Sequence, residues 1–448
     1  MPTIDDVACT LCGCVCDDLA LQVSDGRVVA ANRACVLAEP WMLRQTSAEL
    51  PAARIDGQPV ALEIAVRRSA EILHQARSPL IYGLSRSSTS GQRAAVRLAD
   101  QLGATIDTTA STCHAPSIMA LQTVGESTST LGEIKNRADL VIYWGSNPLE
   151  SHPRHVERYV ESTGMFVPAG RRDRHVVVVD TQRTETAELA DSLIHVEPGG
   201  DFELIWALRM LCSKDPILAG GTGNGTAASI GPPFLPETVA GVPREQIAAL
   251  AERLKGCRYG AVFFGLGLTA HAVPHANVEA LLRLVTDLNA HTRFVARRMR
   301  VPGDVAGADS VLCWQTGFPF SVNMARGYPR YNPGEYTANI LLERGEADAV
   351  VMVGSEGIGK LSTAAQRHLQ STDNIVLDYP TTECPIPATV QFTTAVYGIH
   401  RPGTAYRMDE VPIPLRRVLD SPLPSDDEVL RAIGNRLRAG HQVLSENA

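Results

Sequence analysis

Uninterrupted apolar runs recur along most of the chain, and glycine and small polar residues follow each of them. Two examples are "SPLIYGLS", which starts at Ser78, and "YGAVFFGLG", which starts at Tyr259. Apolar strands without alternating polar positions are typical of parallel sheets, which helices cover on both faces. A helix-like segment follows each run, so the pattern predicts an α/β fold with parallel sheets.

A longer pattern occurs twice. The segment "ADLVIYWGSNPLESHPRH" from Ala138 is similar to "ADAVVMVGSEGIGKLSTAAQRH" from Ala347. Each begins with Ala-Asp, continues through an apolar strand and ends in Gly-Ser. A second apolar strand then ends in Asp180 or Asp378. This internal similarity predicts two related α/β halves.

The repeated Gly-Ser units are candidate nucleotide sites. Glycine after a strand lets backbone N–H groups approach a phosphate, and an aspartate after a later strand accepts hydrogen bonds from a ribose or a guanine edge. Two copies would bind two nucleotide-like ligands. In the alternative, the glycines only form tight turns in a duplicated fold. The candidates are Gly145, Ser146, Asn147, Asp180 and Thr184 in the first copy, and Gly354, Ser355 and Asp378 in the second.

The amino-terminal segment is rich in cysteine. Cys9, Cys12 and Cys16 have the spacing C-x2-C-x3-C, and Cys35 follows after 18 intervening residues. Between them, "LALQVSDGRVVAA" predicts a β-hairpin that turns at Asp25-Gly26. Strands this short bury little core, so a metal would stabilise them.

Three alternatives remain for this quartet. Three nearby thiolates and a distant fourth suit an iron–sulfur cluster. Zinc also accepts four thiolates, although its sites more often contain two C-x2-C pairs. The site can also be retained but empty. Cys14 is interpreted as a left-over thiol that points away or packs.

A second candidate lies in "DTTASTCHAPSIMALQ", where Cys113 and His114 are neighbours among small residues. Such a thiol can be a nucleophile or a metal ligand with an adjacent proton carrier, although most single cysteines are packing residues. His152 and His155 are interpreted mainly as residues that cap a helix or satisfy loop backbone. Asp304 and Asp309 are interpreted as surface or turn residues.

Composition narrows the class of protein. The chain of 448 residues carries a formal net charge of -8, which argues against a nucleic-acid scaffold. There is no apolar run of membrane-spanning length and no signal-peptide pattern, so we expect a cytoplasmic protein without disulfides. Lysine is rare and arginine and alanine are abundant, which favours a bacterial source.

These features together resemble the family of formylmethanofuran dehydrogenase B subunits within the molybdopterin oxidoreductase superfamily. The resemblance covers nearly the whole chain. It rests on "CTLCGCVCDD", "STCHAPS", "YWGSNPLESHPRH", "WQTGFPFSVNMARGYPRYNPGE" and "TTAVYGIHRPGTAYRMDEVPIPLR".

The resemblance implies a molybdopterin-oxidoreductase type of fold without the carboxy-terminal β-barrel domain. A small cysteine-rich cluster domain would precede two Rossmann-like α/β domains. The expected ranges are 1–55 for the cluster domain, 56–135 with 310–385 for one α/β domain and 136–309 for the other. The range 386–448 is expected to form a segment that packs on the amino-terminal cluster domain.

The resemblance also implies roles for the candidate residues. Cys9, Cys12, Cys16 and Cys35 would hold a [4Fe–4S] cluster. Cys113 would ligate tungsten or molybdenum, which also binds two pyranopterin guanine dinucleotides at the two Gly-Ser units. His114 would move a proton. Arg300 would orient a formate carboxylate, with Arg297 and Arg298 as competitors for that role.

Two functions remain open. In the first, the chain interconverts CO2 and formate or formylmethanofuran. Its partners would be an amidohydrolase-like A subunit, a C subunit, and a subunit of the pterin-barrel or formyltransferase type. In the second, it is a cofactor-depleted structural subunit of a bacterial formyltransferase/hydrolase complex, which converts formyl-tetrahydromethanopterin to formate via methanofuran. Nucleic acid and membrane are not expected partners.

Overall fold

The computed structural model describes residues 1–214, 235–269 and 273–446. The chain divides into two compact units. The first contains Met1–Cys113 and Val301–Ala448, and the second contains His114–Arg300. The predicted ranges 136–309 and 386–448 include residues 215–234, 270–272 and 447–448, which lie outside the described residues.

The strands are β1 Thr3–Val7, β2 Leu19–Ser24, β3 Arg27–Asn32, β4 Ala53–Ile55, β5 Gln58–Pro59, β6 Pro79–Gly83, β7 Thr105–Thr108, β8 Leu140–Trp144, β9 His175–Asp180, β10 Ser192–His195, β11 Thr238–Val239, β12 Val242–Pro243, β13 Tyr259–Phe264, β14 Arg293–Arg298, β15 Val322–Asn323, β16 Arg330–Tyr331, β17 Ala349–Val353, β18 Asp373–Asp378, β19 Val390–Thr393, β20 Gly403–Tyr406 and β21 Pro412–Leu415.

The helices are α1 Ala38–Leu43, α2 Leu62–Gln75, α3 Thr89–Leu102, α4 Ala115–Val124, α5 Leu131–Arg137, α6 Pro148–Ser151, α7 Glu185–Glu188, α8 Asp201–Cys212, α9 Arg244–Gly256, α10 Pro274–Leu288, α11 Val305–Thr316, α12 Ala338–Glu343, α13 Thr363–Ser371 and α14 Asp426–Glu446. Within the described ranges, no helix combines the length and apolar character that crossing a bilayer requires.

The first unit begins with a three-stranded antiparallel sheet of order β1-β2-β3. The predicted hairpin is confirmed, because β2 and β3 pair in antiparallel fashion on either side of Asp25-Gly26. Both turn residues have positive φ, at 50° and 69°, which is the backbone conformation of a type I′ turn.

The main sheet of the first unit has the order β16-β15-β7-β6-β17-β18-β19-β4-β5, and β7 through β19 run parallel. Its buried side chains alternate between two faces. Ile81 and Val351 pack in the apolar cluster that includes residues of α2, α3, α11 and α14. Leu80 and Val350 face the cluster that contains residues of α12 and α13. Burial on both faces explains why these strands contain no alternating polar positions.

The sheet of the second unit has the order β10-β9-β8-β13-β14, and all four pairings are parallel. Its cluster of buried apolar residues includes Ile142, Val177 and Phe264 on the strands, together with residues of α8, α9 and α10. On the other face, Tyr143 stacks on Phe263 with ring centroids 5.5 Å apart.

The two copies of the sequence repeat have the same arrangement of paired strands. The similar segments form β8 and β17, and the strands that follow them are β9 and β18. Each repeat strand pairs with its own successor on one side. On the other side it pairs with a strand from a distant part of the chain, β13 or β6. The prediction of two related α/β halves is therefore confirmed. The connections leave these central pairs in opposite directions, and at such a switch point ligands bind beyond the carboxyl ends of the strands.

Candidate functional site

Four of the amino-terminal thiols lie close together in the first unit. Cys9, Cys12 and Cys16 occupy the loop between β1 and β2, and the Cys9 N–H donates to the Cys16 carbonyl at 2.8 Å. Cys35 follows β3, and its carbonyl accepts from the first turn of α1. Burial and then the charges of Cys12, Cys16 and Cys35 raise the pKa of the Cys9 thiol well above its usual value. A mutual electrostatic effect of this kind requires proximity.

Cys14 is packed, and it does not point away from the other thiols. Its side chain is 1% exposed. Hydrogen bonds with the thiols of Cys12 and Cys16, together with burial, raise its pKa well above the ordinary value. Within the described part of the chain, no cysteine is engaged in a disulfide. The segment therefore holds five thiols, one more than a cubane needs.

The fit of this segment to an iron–sulfur cluster rests on its donor set. Among the described residues, no group of three or more His, Cys, Asp and Glu side chains is arranged to hold one metal ion. The four thiolates around a [4Fe–4S] cluster each bind a different iron, so they surround the cluster and do not converge on one point. Neighbouring thiols are the donors that such a cluster takes, and here Cys9 and Cys16 are buried while Cys12 and Cys35 are partly exposed.

Cys113 lies beyond the carboxyl end of β7. A 3₁₀ turn, Thr109–Thr112, follows the strand, and the Cys113 N–H donates to the Ala110 carbonyl at 3.0 Å. The thiol is half-buried, and its Sγ lies 3.9 Å from the Val301 carbonyl oxygen. The strand end and the turn therefore set the position of this thiol.

Asp107 organises the turn that carries Cys113, and sequence reasoning missed it. One carboxylate oxygen accepts from Ser111 Oγ at 2.6 Å and from the Ala338 N–H at 2.7 Å. The other accepts from the Ser321 N–H at 2.9 Å. Burial raises the pKa of Asp107 to about 6. The available signal was an aspartate within the apolar run "ATIDTT".

The interpretation of Asp304 and Asp309 as surface residues was wrong, because both side chains are buried. Asp304 is 0% exposed and caps α11, and its carboxylate accepts from the Gly307 N–H at 3.0 Å. Asp309 is 6% exposed and accepts from Thr108 Oγ1 at 2.9 Å. Both carboxylates stabilise the elements around the Cys113 turn.

The second Gly-Ser unit lies at the switch point of the first unit. Gly354 has a φ of 85°, and the Ser355 N–H donates to Asp378 Oδ1 at 2.9 Å. Among the described residues, Ser355 Oγ and Asp378 Oδ2 have no hydrogen-bond partner, although both are buried. Arg86 and Asp378 line a small cavity at this position. The unsatisfied polar atoms fit a polar ligand such as a guanine edge.

Glu356 is the next residue in this loop. Both of its carboxylate oxygens are buried without a hydrogen-bond partner among the described residues. Burial raises its pKa from 4.5 to about 7, and the nearby Arg86 charge opposes this effect. The proton is thus held more tightly in the folded state, so stability from this group is lost as the pH rises from about 4.5 to about 7.

We therefore expect Glu356→Gln to be more stable than wild type above pH 7, by on the order of 2 kcal/mol, and to lose that advantage near pH 4.5. Thermal unfolding of the purified protein across this pH range measures the difference. The exposed Glu383 provides the control, because Glu383→Gln should leave the pH profile unchanged. A constant difference between Glu356→Gln and wild type at all pH values would contradict the prediction.

The first Gly-Ser unit lies at the switch point of the second unit. Gly145 has a φ of 53°, and a Cβ there would lie 2.6 Å from the Leu268 nitrogen. Gly83 in the first unit is similarly confined, because its Cβ would lie 2.4 Å from the Val353 carbonyl oxygen. Close approach of two strand ends therefore requires these glycines, whether or not a phosphate binds there.

The other candidates of this copy have local partners. Asn147 Oδ1 accepts from Thr186 Oγ1 at 2.6 Å. Asp180 Oδ1 accepts from the Gln182 N–H at 3.1 Å, and burial raises the pKa of this carboxyl. Thr184 caps α7 by accepting from the Ala187 N–H at 3.3 Å. Ser146 is buried. The structure brings Gly145–Asn147, Asp180 and Thr184 to the carboxyl ends of β8 and β9.

His114 and the three arginines also belong to the second unit. His114 is buried and precedes α4. Arg297 Nε donates to the Ser129 carbonyl at 3.0 Å, and Arg298 forms a buried ion pair with Glu126 at 3.2 Å. The Arg300 carbonyl, in contrast, accepts from His152 Nε2 at 2.8 Å. Arg297 and Arg298 therefore hold neighbouring segments of the same unit.

Comparison with known proteins identifies the family. The chain is 39% identical over 446 residues to the B subunit of the tungsten-containing formylmethanofuran dehydrogenase 2 of Methanocaldococcus jannaschii, covering 97% of this chain and 98% of the relative. The corresponding protein of Methanococcus maripaludis is 38% identical, with 97% and 98% coverage. The chain belongs to the family of formylmethanofuran dehydrogenase B subunits. No family model matches it.

More distant relatives share the fold. The Fhc B subunit of the formyltransferase/hydrolase complex of Methylorubrum extorquens is 27% identical over 68% of this chain and 75% of the relative. A chain in the crystal structure of that complex with methylofuran superposes with a TM-score of 0.69, at 22% identity, covering 87% of this chain and 99% of the other. Acetylene hydratase from Pelobacter acetylenicus superposes with a TM-score of 0.70 at 13% identity, and the superposition covers 98% of this chain and 70% of the hydratase chain. These likenesses support a mixed α/β fold with parallel sheets.

Proposed function

We propose that this chain is the redox subunit of a formylmethanofuran dehydrogenase, which interconverts CO2 and formate or formylmethanofuran. One observation carries the proposal: this chain, which is similar over nearly its full length to tungsten-containing relatives, has four neighbouring thiols in the loops beside the amino-terminal sheet. Together with Cys113 at the end of β7, these thiols are the donors that the proposed cofactors require.

The proposed cofactors are a [4Fe–4S] cluster and a tungsten or molybdenum bis(pyranopterin guanine dinucleotide). Cys9, Cys12, Cys16 and Cys35 would hold the cluster, and the Cys113 thiolate would bind the tungsten or molybdenum. When bound, the metal–pterin group supplies the two-electron chemistry that interconverts CO2 and formate. The neighbouring thiols, of which Cys9 and Cys16 are buried, and the 3₁₀ turn that precedes Cys113 fit these groups.

The two Gly-Ser units would bind the nucleotide ends of the pterins. In the first unit, the unsatisfied Asp378 Oδ2 and Ser355 Oγ are available to a guanine edge. In the second unit, Gly145, Ser146, Asn147, Asp180 and Thr184 are the corresponding candidates. The Thr184 side-chain oxygen caps α7, so Thr184 would contribute to the nucleotide site by holding that helix in place.

His114 and Arg300 would act on the substrate. His114 would hold or release the proton that accompanies two electrons when CO2 becomes formate. The Arg300 guanidinium would bind the formate carboxylate through two parallel hydrogen bonds. Arg300 is the candidate that the family resemblance names, and Arg297 and Arg298 hold the Ser129 carbonyl and Glu126.

The second candidate function is a structural role in a formyltransferase/hydrolase complex. The structural superposition that covers 99% of a chain from such a complex favours it. In that function the thiols and Gly-Ser units would remain without cofactors, and the protein would hold its partners in place. The higher identity to the tungsten-containing relatives favours the redox function.

The setting of the protein is part of the same proposal. We place it in the cytoplasm, in a complex with an amidohydrolase-like A subunit, a C subunit, and a subunit of the pterin-barrel or formyltransferase type. The boundaries 1–55, 56–135 with 310–385, 136–309 and 386–448 stay a prediction for its domains.

Metal and acid-labile sulfide analysis of the native complex, purified without oxygen, tests the proposed function. We expect about four iron atoms per chain together with tungsten or molybdenum. Iron alone would indicate a structural cluster in a protein without the pterin centre. A chain without any of these metals would overturn the redox function and support the structural one.

A further inference from the structure

His152 connects one Gly-Ser unit to Arg300. It follows α6 directly and is 1% exposed. Its Nε2 lies 2.8 Å from the Arg300 carbonyl oxygen, and its Nδ1 lies 2.8 Å from Ser151 Oγ. A carbonyl oxygen only accepts, so Nε2 carries the hydrogen and Nδ1 accepts from the serine hydroxyl. These two bonds determine the tautomer and the ring orientation.

The connection continues back to the Gly145–Asn147 loop. The Ser151 N–H donates to the Asn147 carbonyl at 3.1 Å. Ser151 Oγ also lies 3.0 Å from that oxygen, but the single hydroxyl hydrogen goes to His152 Nδ1 when the ring is neutral. Thr186 in turn fixes the Asn147 side chain. The Ser151 backbone and the His152 side chain thus connect the candidate nucleotide loop to the backbone of Arg300.

The Arg300 backbone lies just beyond the last strand pairing of the second unit. The Met299 N–H donates to the Phe264 carbonyl at 2.9 Å, which continues the pairing of β13 and β14 by one residue. Arg300 follows at the end of that pairing. The His152 bond restrains the ψ angle of Arg300, and the rotamers that are open to the Arg300 side chain depend on its φ and ψ angles.

We propose that His152 is the positioning residue of Arg300: its Nε2–H holds the Arg300 carbonyl so that the guanidinium meets the formate carboxylate in the productive orientation. The inference rests on the proposed function, in which Arg300 binds formate.

The state of the imidazole supports a positioning role. Burial lowers the pKa of His152 to about 4, so the ring stays neutral across ordinary assay conditions. A ring that keeps one tautomer is a constant hydrogen-bond donor and does not transfer protons in turnover.

The test uses the metal-loaded heteromeric complex and formate-dependent dye reduction. We expect His152→Leu to raise the KM for formate by about tenfold or more, with a smaller effect on kcat. His152→Gln places an amide N–H near the Nε2 position, so it should restore most of the affinity. His155 is the matched control, because it is equally buried but bonds to Tyr143 Oη at 3.0 Å. His155→Leu should leave the KM for formate unchanged.

Hydrogen–deuterium exchange gives a readout that does not depend on activity. Amides of the segment 296–300 should exchange faster in His152→Leu and at the wild-type rate in His152→Gln. If His152→Leu does not assemble, Ser151→Ala removes only the hydroxyl that holds Nδ1 and should give a smaller rise in KM. A wild-type KM in a properly assembled His152→Leu complex, or in Ser151→Ala, overturns the inference.

Arg300→Ala separates this inference from the proposed function. If His152 acts through the Arg300 side chain, the His152→Leu/Arg300→Ala double variant should have no higher KM for formate than Arg300→Ala alone. Additive effects would show that His152 acts elsewhere and would overturn the inference alone. A wild-type KM in Arg300→Ala would overturn the role of Arg300 in the proposed function, and this inference with it.

Discussion

Cys113→Ala is expected to abolish formate-dependent dye reduction, lowering the rate by roughly a thousandfold or more, which corresponds to about 4 kcal/mol of transition-state stabilisation. The physical reason is that a methyl group cannot ligate tungsten or molybdenum, whereas the thiolate binds soft metals well. The measurement is dye reduction by the anaerobically purified complex, accompanied by metal analysis of the same preparation.

The variant should still assemble. Cys113 ends a 3₁₀ turn whose backbone is held by the Ala110 carbonyl and whose preceding residues are held by Asp107. Removing one half-buried sulfur leaves these bonds in place. Cys313→Ala is the matched control, because Cys313 is exposed on α11 and has no proposed role. Unchanged dye reduction in assembled Cys113→Ala would contradict the redox function. Intact formyl transfer and hydrolysis in that variant would support the structural one.

Cys16→Ser is expected to lose the cluster, so iron should fall from about four atoms per chain to nearly none. The hydroxyl of serine is a poor ligand for iron beside three thiolates. Cys16 belongs to the set that interacts with Cys9, and the Cys9 N–H bonds to its carbonyl. Iron, acid-labile sulfide and visible absorption of the purified complex provide the measurement.

Cys14→Ser is the control for this experiment and should keep its iron. Cys14 contacts Cys12 and Cys16, but it stands outside the C-x2-C-x3-C spacing of the proposed ligands. The hydrogen bonds that raise its own pKa favour the neutral thiol over the thiolate that iron requires. If Cys14→Ser lost the iron and Cys16→Ser kept it, Cys14 would replace Cys16 as the fourth ligand.

Much of the fold was predictable from the sequence because the signals are local. Strands buried on both faces must be apolar at every position, so β6, β8, β13 and β17 were recognisable as continuous runs. The Asp25-Gly26 turn was predictable because both residues tolerate positive φ. The duplication was visible because both halves use the same strand, Gly-Ser and Asp order.

The strand order itself is a long-range property. β17 pairs with β6, which lies more than 250 residues earlier in the chain, and β13 pairs with β8, although β9 to β12 lie between them in the sequence. Hydrophobic pattern does not specify which apolar run lies beside which, because any two such strands can pair. Tertiary packing made this choice, and with it placed the two switch points.

The polar partners around the candidate sites were likewise decided by the tertiary structure. Asp107 accepts from Ser321 and Ala338, more than 200 positions away, and His152 bonds to Arg300, 148 positions away. A sequence identifies aspartate and histidine as capable of such bonds, but the partners become neighbours only when distant segments fold together.

The sequence by itself determined the family, the parallel α/β halves, the cysteine spacing and the candidate residues, since each depends on residue type and short-range order. Only the tertiary structure decided that Cys14 lies against Cys12 and Cys16, that Asp304 and Asp309 are buried, and that Arg297 and Arg298 are engaged elsewhere. Burial and hydrogen-bond pairing depend on which segments meet in space, and local chemistry along the chain does not contain that information.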